Sequence, residues 1–148
     1  MRFFVDTNVL IYTRDPRDRQ KQETAIRWLT ELARRDLAVI NLQVLNELCY
    51  VVFRKMPHIG MDELRAWVGE LQAWGETVID TDITAAAWEI RAAFRYNWLD
   101  CILLSAANRL GCTYFLSEDM THGAAVDSVT VVNPFELEPS AILPPLRH

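Results

Sequence analysis

The chain has 148 residues, 51% of them hydrophobic and 24% charged, with a formal net charge of −5. That length suits one domain burying roughly 68–70% of its unfolded surface, and the composition excludes a disordered chain. The acidic balance excludes a general nucleic-acid coat, and no apolar run approaches the ~20 residues of a membrane span. The N-terminus enters an apolar segment at once, without the basic region and cleavage site of a secretory signal. Cys49, Cys101 and Cys112 are odd in number and lie in apolar surroundings. They read as free thiols of a reducing compartment, which predicts a cytoplasmic protein.

Taken in chain order, Arg2-Phe3-Phe4-Val5 predicts a short buried strand, and Asp6-Thr7-Asn8 turns the chain into a helix. Residues 17–35 carry apolar side chains at three- and four-residue spacing, the pattern of an amphipathic helix. Leu37-Ala38-Val39-Ile40 predicts a second strand, and residues 42–55 an apolar helix ending before Pro57. A further helix follows over 61–74, with Asp62 as its expected cap, and Thr77-Val78-Ile79 is expected as a third strand. Helices are predicted over 82–95 and 98–110, the second closed by Gly111. Strands are predicted at 113–116 and 128–132.

Alternating strands and helices predict an α/β three-layer sandwich around a mainly parallel five-stranded sheet. One domain is expected over residues 1–135. Residues 136–148 hold Pro139, Pro144 and Pro145 and are expected to trail as an irregular tail.

Four acids stand in or beside strongly apolar stretches. Asp6 ends the first strand, Glu47 interrupts the apolar helix, Asp100 opens Cys101-Ile102-Leu103-Leu104, and Asp119 follows the fourth strand. A buried acid is costly unless it is paired, neutralised or metal-bound. Sites in such sheets form beyond the carboxyl ends of the strands, where Asp6 and Asp119 would meet. Four converging carboxylates would repel one another, and a hard divalent cation, Mg²⁺ or Mn²⁺, would resolve the conflict. Removing the four leaves a nearly neutral body.

Each acid also has a structural role open to it. Asp6, Thr7 and Asn8 are all good helix caps, and Asp100 sits where a helix dipole favours a negative charge. Ser117-Glu118-Asp119 resembles a cap followed by a helical turn, in which Glu118 is the alternative acid. His58, His122 and His148 form no metal-binding spacing, and no His pair is advertised for a 2′-hydroxyl mechanism. There is no G-x-S-x-G elbow and no P-loop. Arg14, Arg17, Arg19 and Lys21 follow Asp6 closely; they are either a solvated charge run or a phosphate-holding rim. The five tryptophans sit at helical spacing and read as core or partner-facing.

In this order the segments Asp6-Thr7-Asn8-Val9-Leu10, Asn46-Glu47-Leu48, Trp98-Leu99-Asp100-Cys101, Gly111-Cys112, Leu116 to Gly123 and Val132-Asn133-Pro134-Phe135 resemble the PIN-domain ribonucleases. The likeness is to the toxin subunits of VapBC-type toxin–antitoxin pairs and covers residues 2–135. Leu99 departs from it, standing where related toxins often place Trp. The resemblance implies metal-dependent RNA cleavage leaving a 3′-hydroxyl and a 5′-phosphate. Asp6, Glu47, Asp100 and Asp119 match the acidic, metal-binding positions, and Asn8 and Ser117 the supporting polar ones. It further implies a small antitoxin partner and a homodimeric toxin. Arg14 and Arg17 are the expected RNA contacts. Two other readings stay open at this point: a phosphotransfer or phosphatase domain on a similar sheet, and a non-catalytic interaction module.

Overall fold

The computed structural model describes residues 1–146; Arg147 and His148, the end of the expected tail, lie outside the described residues. Five strands form one sheet: β1 (Phe3–Val5), β2 (Ala38–Val39), β3 (Tyr114–Leu116), β4 (Ala125–Val126) and β5 (Val129–Val132). Their order is β2-β1-β3-β5-β4, parallel except for the β4–β5 edge pair. Six helices surround it: α1 (Thr7–Tyr12), α2 (Arg19–Arg34), α3 (Leu42–Lys55), α4 (Met61–Leu71), α5 (Thr81–Phe94) and α6 (Trp98–Arg109). Successive strand side chains point to opposite sheet faces. Phe3, Phe4 and Val5 are all fully buried, so both faces of the central strand are covered, as the three-layer expectation requires.

The central strands are held by aromatic pairs in register. Phe4 stacks on Phe115 at 5.3 Å and Phe3 on Tyr114 at 4.7 Å. Polar residues start several of the helices. Asp18, Asn41, Asp80 and Asn97 each accept a backbone N–H from the first turn of α2, α3, α5 and α6. Gly111, in the left-handed region at φ 73°, follows the end of α6 as expected.

Four local expectations are corrected. Thr77-Val78-Ile79 is not a strand. It runs beside the end of β2, where Ile40 N donates to Trp74 O (3.1 Å) and Leu42 N to Thr77 O (3.0 Å). These bonds are too few for a ladder, although Ile79 packs against the core while Val78 is 65% exposed. The fifth strand is instead β4, joined to β5 through Asp127, whose φ is 53°. The residue preceding α4 is Gly60; Asp62 lies inside the first turn. Residues 117–120 bend without forming a helical turn. The proline-rich segment, as far as residue 146, lies against α2 rather than trailing. Trp28 Nε1 donates to Pro134 O and Leu137 O, both at 3.0 Å, and Leu143 is buried.

Candidate active site

The sheet order places β1 between β2 and β3, and the chain changes direction across it. The gap beyond the carboxyl ends of β1 and β3 is therefore the topological switch point, where open α/β sheets hold ligands. Asp6 leaves β1 there and donates its N–H to Leu116 O at 3.0 Å. Ser117 leaves β3 beside it. The ends of two adjacent strands thus deliver Asp6 and Ser117 to one point, although 111 residues separate them.

Asp6 is 4% exposed and performs both roles open to it. Its Oδ1 accepts the Thr7 N–H at 2.7 Å, capping α1. Its Oδ2 faces away from the helix and accepts from Ser117 Oγ (2.8 Å) and Asn8 Nδ2 (3.3 Å). Asn8 is the hub of the network. Its Nδ2 also donates to Ser117 Oγ (3.1 Å) and to Asp119 Oδ2 (2.9 Å), while its Oδ1 accepts the Glu118 N–H at 3.4 Å. Ser117 Oγ in turn accepts the Asp119 N–H at 3.2 Å. Asp6 and Asp119 are therefore tied together through two neutral side chains.

Glu47 arrives from the second turn of α3, whose start is fixed by the buried Asn41 cap (Val44 N to Oδ1, 3.0 Å). Thr7 Oγ1 donates to Glu47 Oε2 at 3.3 Å. Asp100 arrives from the first turn of α6. All four acids line one crevice of about 450 Å³. A larger concavity of about 540 Å³, between α2 and the C-terminal segment, holds none of them.

The electrostatics follow from crowding in a partly dry site. Burial, then the Asp100 charge, pushes the Asp6 carboxyl up to about 7, against the opposing pull of the Ser117 and Thr7 hydrogen bonds. Burial, then Asp6, pushes Glu47 up to about 7. Burial, then Asp119 and Glu47, pushes Asp100 up to about 6. Raised carboxylates with no cation against them are the signature of a site that accepts positive charge.

The donor set suits a hard divalent ion: it is all oxygen, and four carboxylates converge. No group of three or more His, Cys, Asp or Glu side chains stands at metal-ligating spacing among the described residues. The acids thus line an open crevice rather than a closed cage. That suits Mg²⁺, which keeps several waters and takes few carboxylates directly.

Glu118, the alternative acid, also lines the crevice but is already paired. It accepts from Tyr12 Oη and from Lys21 Nζ (2.7 Å), with Lys21 lying over the Tyr12 and Phe135 rings. The expected basic rim divides. Arg14 leaves the crevice, pairing with Glu63 at 3.2 Å and stacking on Trp67 at 4.4 Å. Arg17 does line it, held bidentately by the buried Asp15, whose carboxyl it pulls below the usual range. His122 takes the Asn133 N–H on Nδ1, and no histidine lines the crevice. Sequence reasoning passed over Thr7 as a contact of Glu47, and Tyr50 and Leu99 as lining residues. Helical spacing from Glu47 to Tyr50, Val51 and Lys55 carried that signal.

Solved structures of similar shape come from several bacteria. A toxin–antitoxin complex from Klebsiella pneumoniae matches with a TM-score of 0.62 and 20% identity, over 93% of this chain and 100% of that one. FitAcB from Neisseria gonorrhoeae matches at 0.64 and 17%, over 91% and 99%. VapC20 from Mycobacterium tuberculosis, described as a sarcin–ricin loop cleaving toxin, matches at 0.58 and 18%, over 76% and 86%. These likenesses establish a shared fold. No curated protein matches the chain by sequence. The family model for the PIN domain matches residues 3–123, which include all four acids together with Asn8 and Ser117, and the chain therefore belongs to the PIN domain family.

Proposed function

We propose that the chain is a Mg²⁺- or Mn²⁺-dependent endoribonuclease acting as the toxin of a toxin–antitoxin pair. The observation that carries this is the Asp6–Asn8–Ser117–Asp119 network, with Glu47 and Asp100 lining the same crevice. Membership of the PIN family and the toxin structures of like fold support it.

Asp6 and Asp119 would be the primary ligands, with Glu47 and Asp100 completing the shell directly or through water. When bound, the ion supplies an acidified water, in-line orientation and charge stabilisation at the leaving oxygen. The chain's own residues do the positioning. Ser117 and Asn8 donate to the Asp6 oxygen that faces the crevice and hold its orientation. Asn8 sets the Asp119 carboxylate, and Thr7 steers Glu47. The crevice offers no imidazole to a 2′-hydroxyl mechanism, which favours hydrolysis to a 3′-hydroxyl and a 5′-phosphate.

A small antitoxin and a second copy of the chain are the proposed partners. The exposed apolar side chains Ile26, Phe53 and Trp88 support such contacts, as does the likeness to a Klebsiella toxin–antitoxin complex. No helix of the described residues is long and apolar enough to cross a membrane, and the cysteines are free thiols, which fits work in the cytoplasm.

The test is RNA cleavage by the purified chain. Mg²⁺ or Mn²⁺ should support it, excess EDTA should abolish it, and Asp6→Asn should abolish it in a protein that still folds. Full-rate cleavage in EDTA would overturn the proposal.

A further inference from the structure

Two large apolar side chains stand exposed at the rim of the acidic crevice. Tyr50 is 60% exposed and Leu99 46%, and both line it. Tyr50 lies one turn beyond Glu47 on α3, and Leu99 immediately precedes Asp100 on α6. The Tyr50 hydroxyl accepts from Arg54 Nη1 at 2.9 Å, and the Arg54 guanidinium carbon lies 5.3 Å from the ring centroid. The ring is therefore oriented, and a cation adjoins it. Lys55 adds a positive charge to the lining, and Arg17 a second that Asp15 already pairs.

An acid cluster, an oriented aromatic face and flanking cations in one crevice match a particular occupant. A single-stranded nucleic acid offers a phosphate to the acid cluster through a divalent ion. It offers a flat base to the aromatic ring and a further phosphate to the cations. A basic helix would also satisfy the acids, but it brings neither an anion for Lys55 nor a flat base for the ring. Phe53, 62% exposed on the same helix, lies outside the crevice lining and has no part in this arrangement.

We propose that Tyr50 and Leu99 form a stacking platform for one unpaired base next to the cleaved phosphate, with Lys55 taking an adjoining phosphate. This rests on the ribonuclease function proposed above and adds the feature that selects unpaired RNA. In a duplex each base is already stacked on its neighbours and cannot reach the platform.

The experiment measures the affinity of the full chain for a short fluorescent single-stranded RNA of mixed sequence. Ca²⁺ replaces Mg²⁺ to limit cleavage. A parallel set of RNAs lacks one base at successive positions. Tyr50→Ala should weaken binding about tenfold, as loss of one base stack does, while Tyr50→Phe retains it and Phe53→Ala changes nothing. At one position, removing the base should weaken the wild type similarly and cost Tyr50→Ala nothing further. Unchanged affinity in Tyr50→Ala, or losses that add at every position, would overturn the platform. If Tyr50→Ala keeps RNA affinity but alters the oligomeric state, the surface belongs to a protein contact instead. A wild-type chain that neither binds nor cuts RNA with Mg²⁺ or Mn²⁺ removes the ribonuclease function and the platform together. Normal cleavage with an indifferent Tyr50 removes the platform alone.

Discussion

At the scale of residues, the acids oppose folding until something positive joins them. Asp6, Glu47 and Asp100 all titrate above the ordinary carboxylate range in the folded chain, at about 7, 7 and 6. Between roughly pH 4 and pH 7 the folded state thus holds more protons than the unfolded one, and stability falls as pH rises through that window. Glu47→Gln and Asp100→Asn should raise the melting temperature at pH 8 by roughly 2–4 °C each, a figure discounted for their partial exposure. Neither should change it at pH 4. Asp6→Asn should gain less, because an amide nitrogen in place of Oδ2 would face the Asn8 amide donor at 3.3 Å. Mn²⁺ should raise the wild-type melting temperature at pH 8 and have no effect at pH 4. Thermal melts over pH, with and without Mn²⁺, check all of this; equal melting temperatures for wild type and Asp100→Asn at pH 8 would show that the crowding is not felt.

At the scale of elements, the edge of the sheet depends on one backbone position. Gly75 has φ 136°, and a Cβ built there would lie 2.2 Å from Ile40 O. Gly75→Ala should therefore destabilise the fold by at least about 2 kcal/mol, measured by urea denaturation. An unchanged midpoint would mean that the loop between α4 and α5 relaxes freely. The same loop is where sequence pattern ran out. Thr77-Val78-Ile79 has strand composition and Ile79 meets the core, but a strand needs a backbone ladder, and Leu42 N to Thr77 O alone does not make one. The β4–β5 hairpin was hidden because Ala125–Val126 is too short to show alternation. The long helices were legible since their apolar spacing is dictated by packing against the sheet. The acids were legible for the opposite reason: Asp6, Asp100 and Asp119 stand at or beside an element's end next to apolar residues, and Glu47 interrupts an apolar helix. The partners that commit Arg14 and Glu118 come from distant segments, Trp67 and Lys21, and no local spacing encodes those meetings.

At the scale of the whole molecule, charge is unevenly spent. The chain carries −5 overall, and six acids line one crevice, Asp15 paired with Arg17 and Glu118 with Lys21, while the lining offers only Arg17 and Lys55 as cations. RNA held there should release few counterions. Its affinity should fall with salt at a log–log slope of about −1 to −2, from roughly 0.7 per contact on a single strand. Lys55→Ala should flatten that slope, and Arg14→Ala, remote from the crevice, should leave it unchanged. Titration of RNA binding against salt in Ca²⁺ is the measurement. A slope steeper than about −4 would route the RNA over another surface.

The pairing of β1 with β3 also sets a timetable. Asp6 is made before β3, and the strand that brings it Ser117 and Asp119 follows more than a hundred residues later, so that contacts of such long range form slowly. During synthesis the carboxylates stay apart until the third strand has left the ribosome and docked beside the first. A nascent or prematurely ended chain is therefore inert at this centre. The centre is assembled only as folding completes.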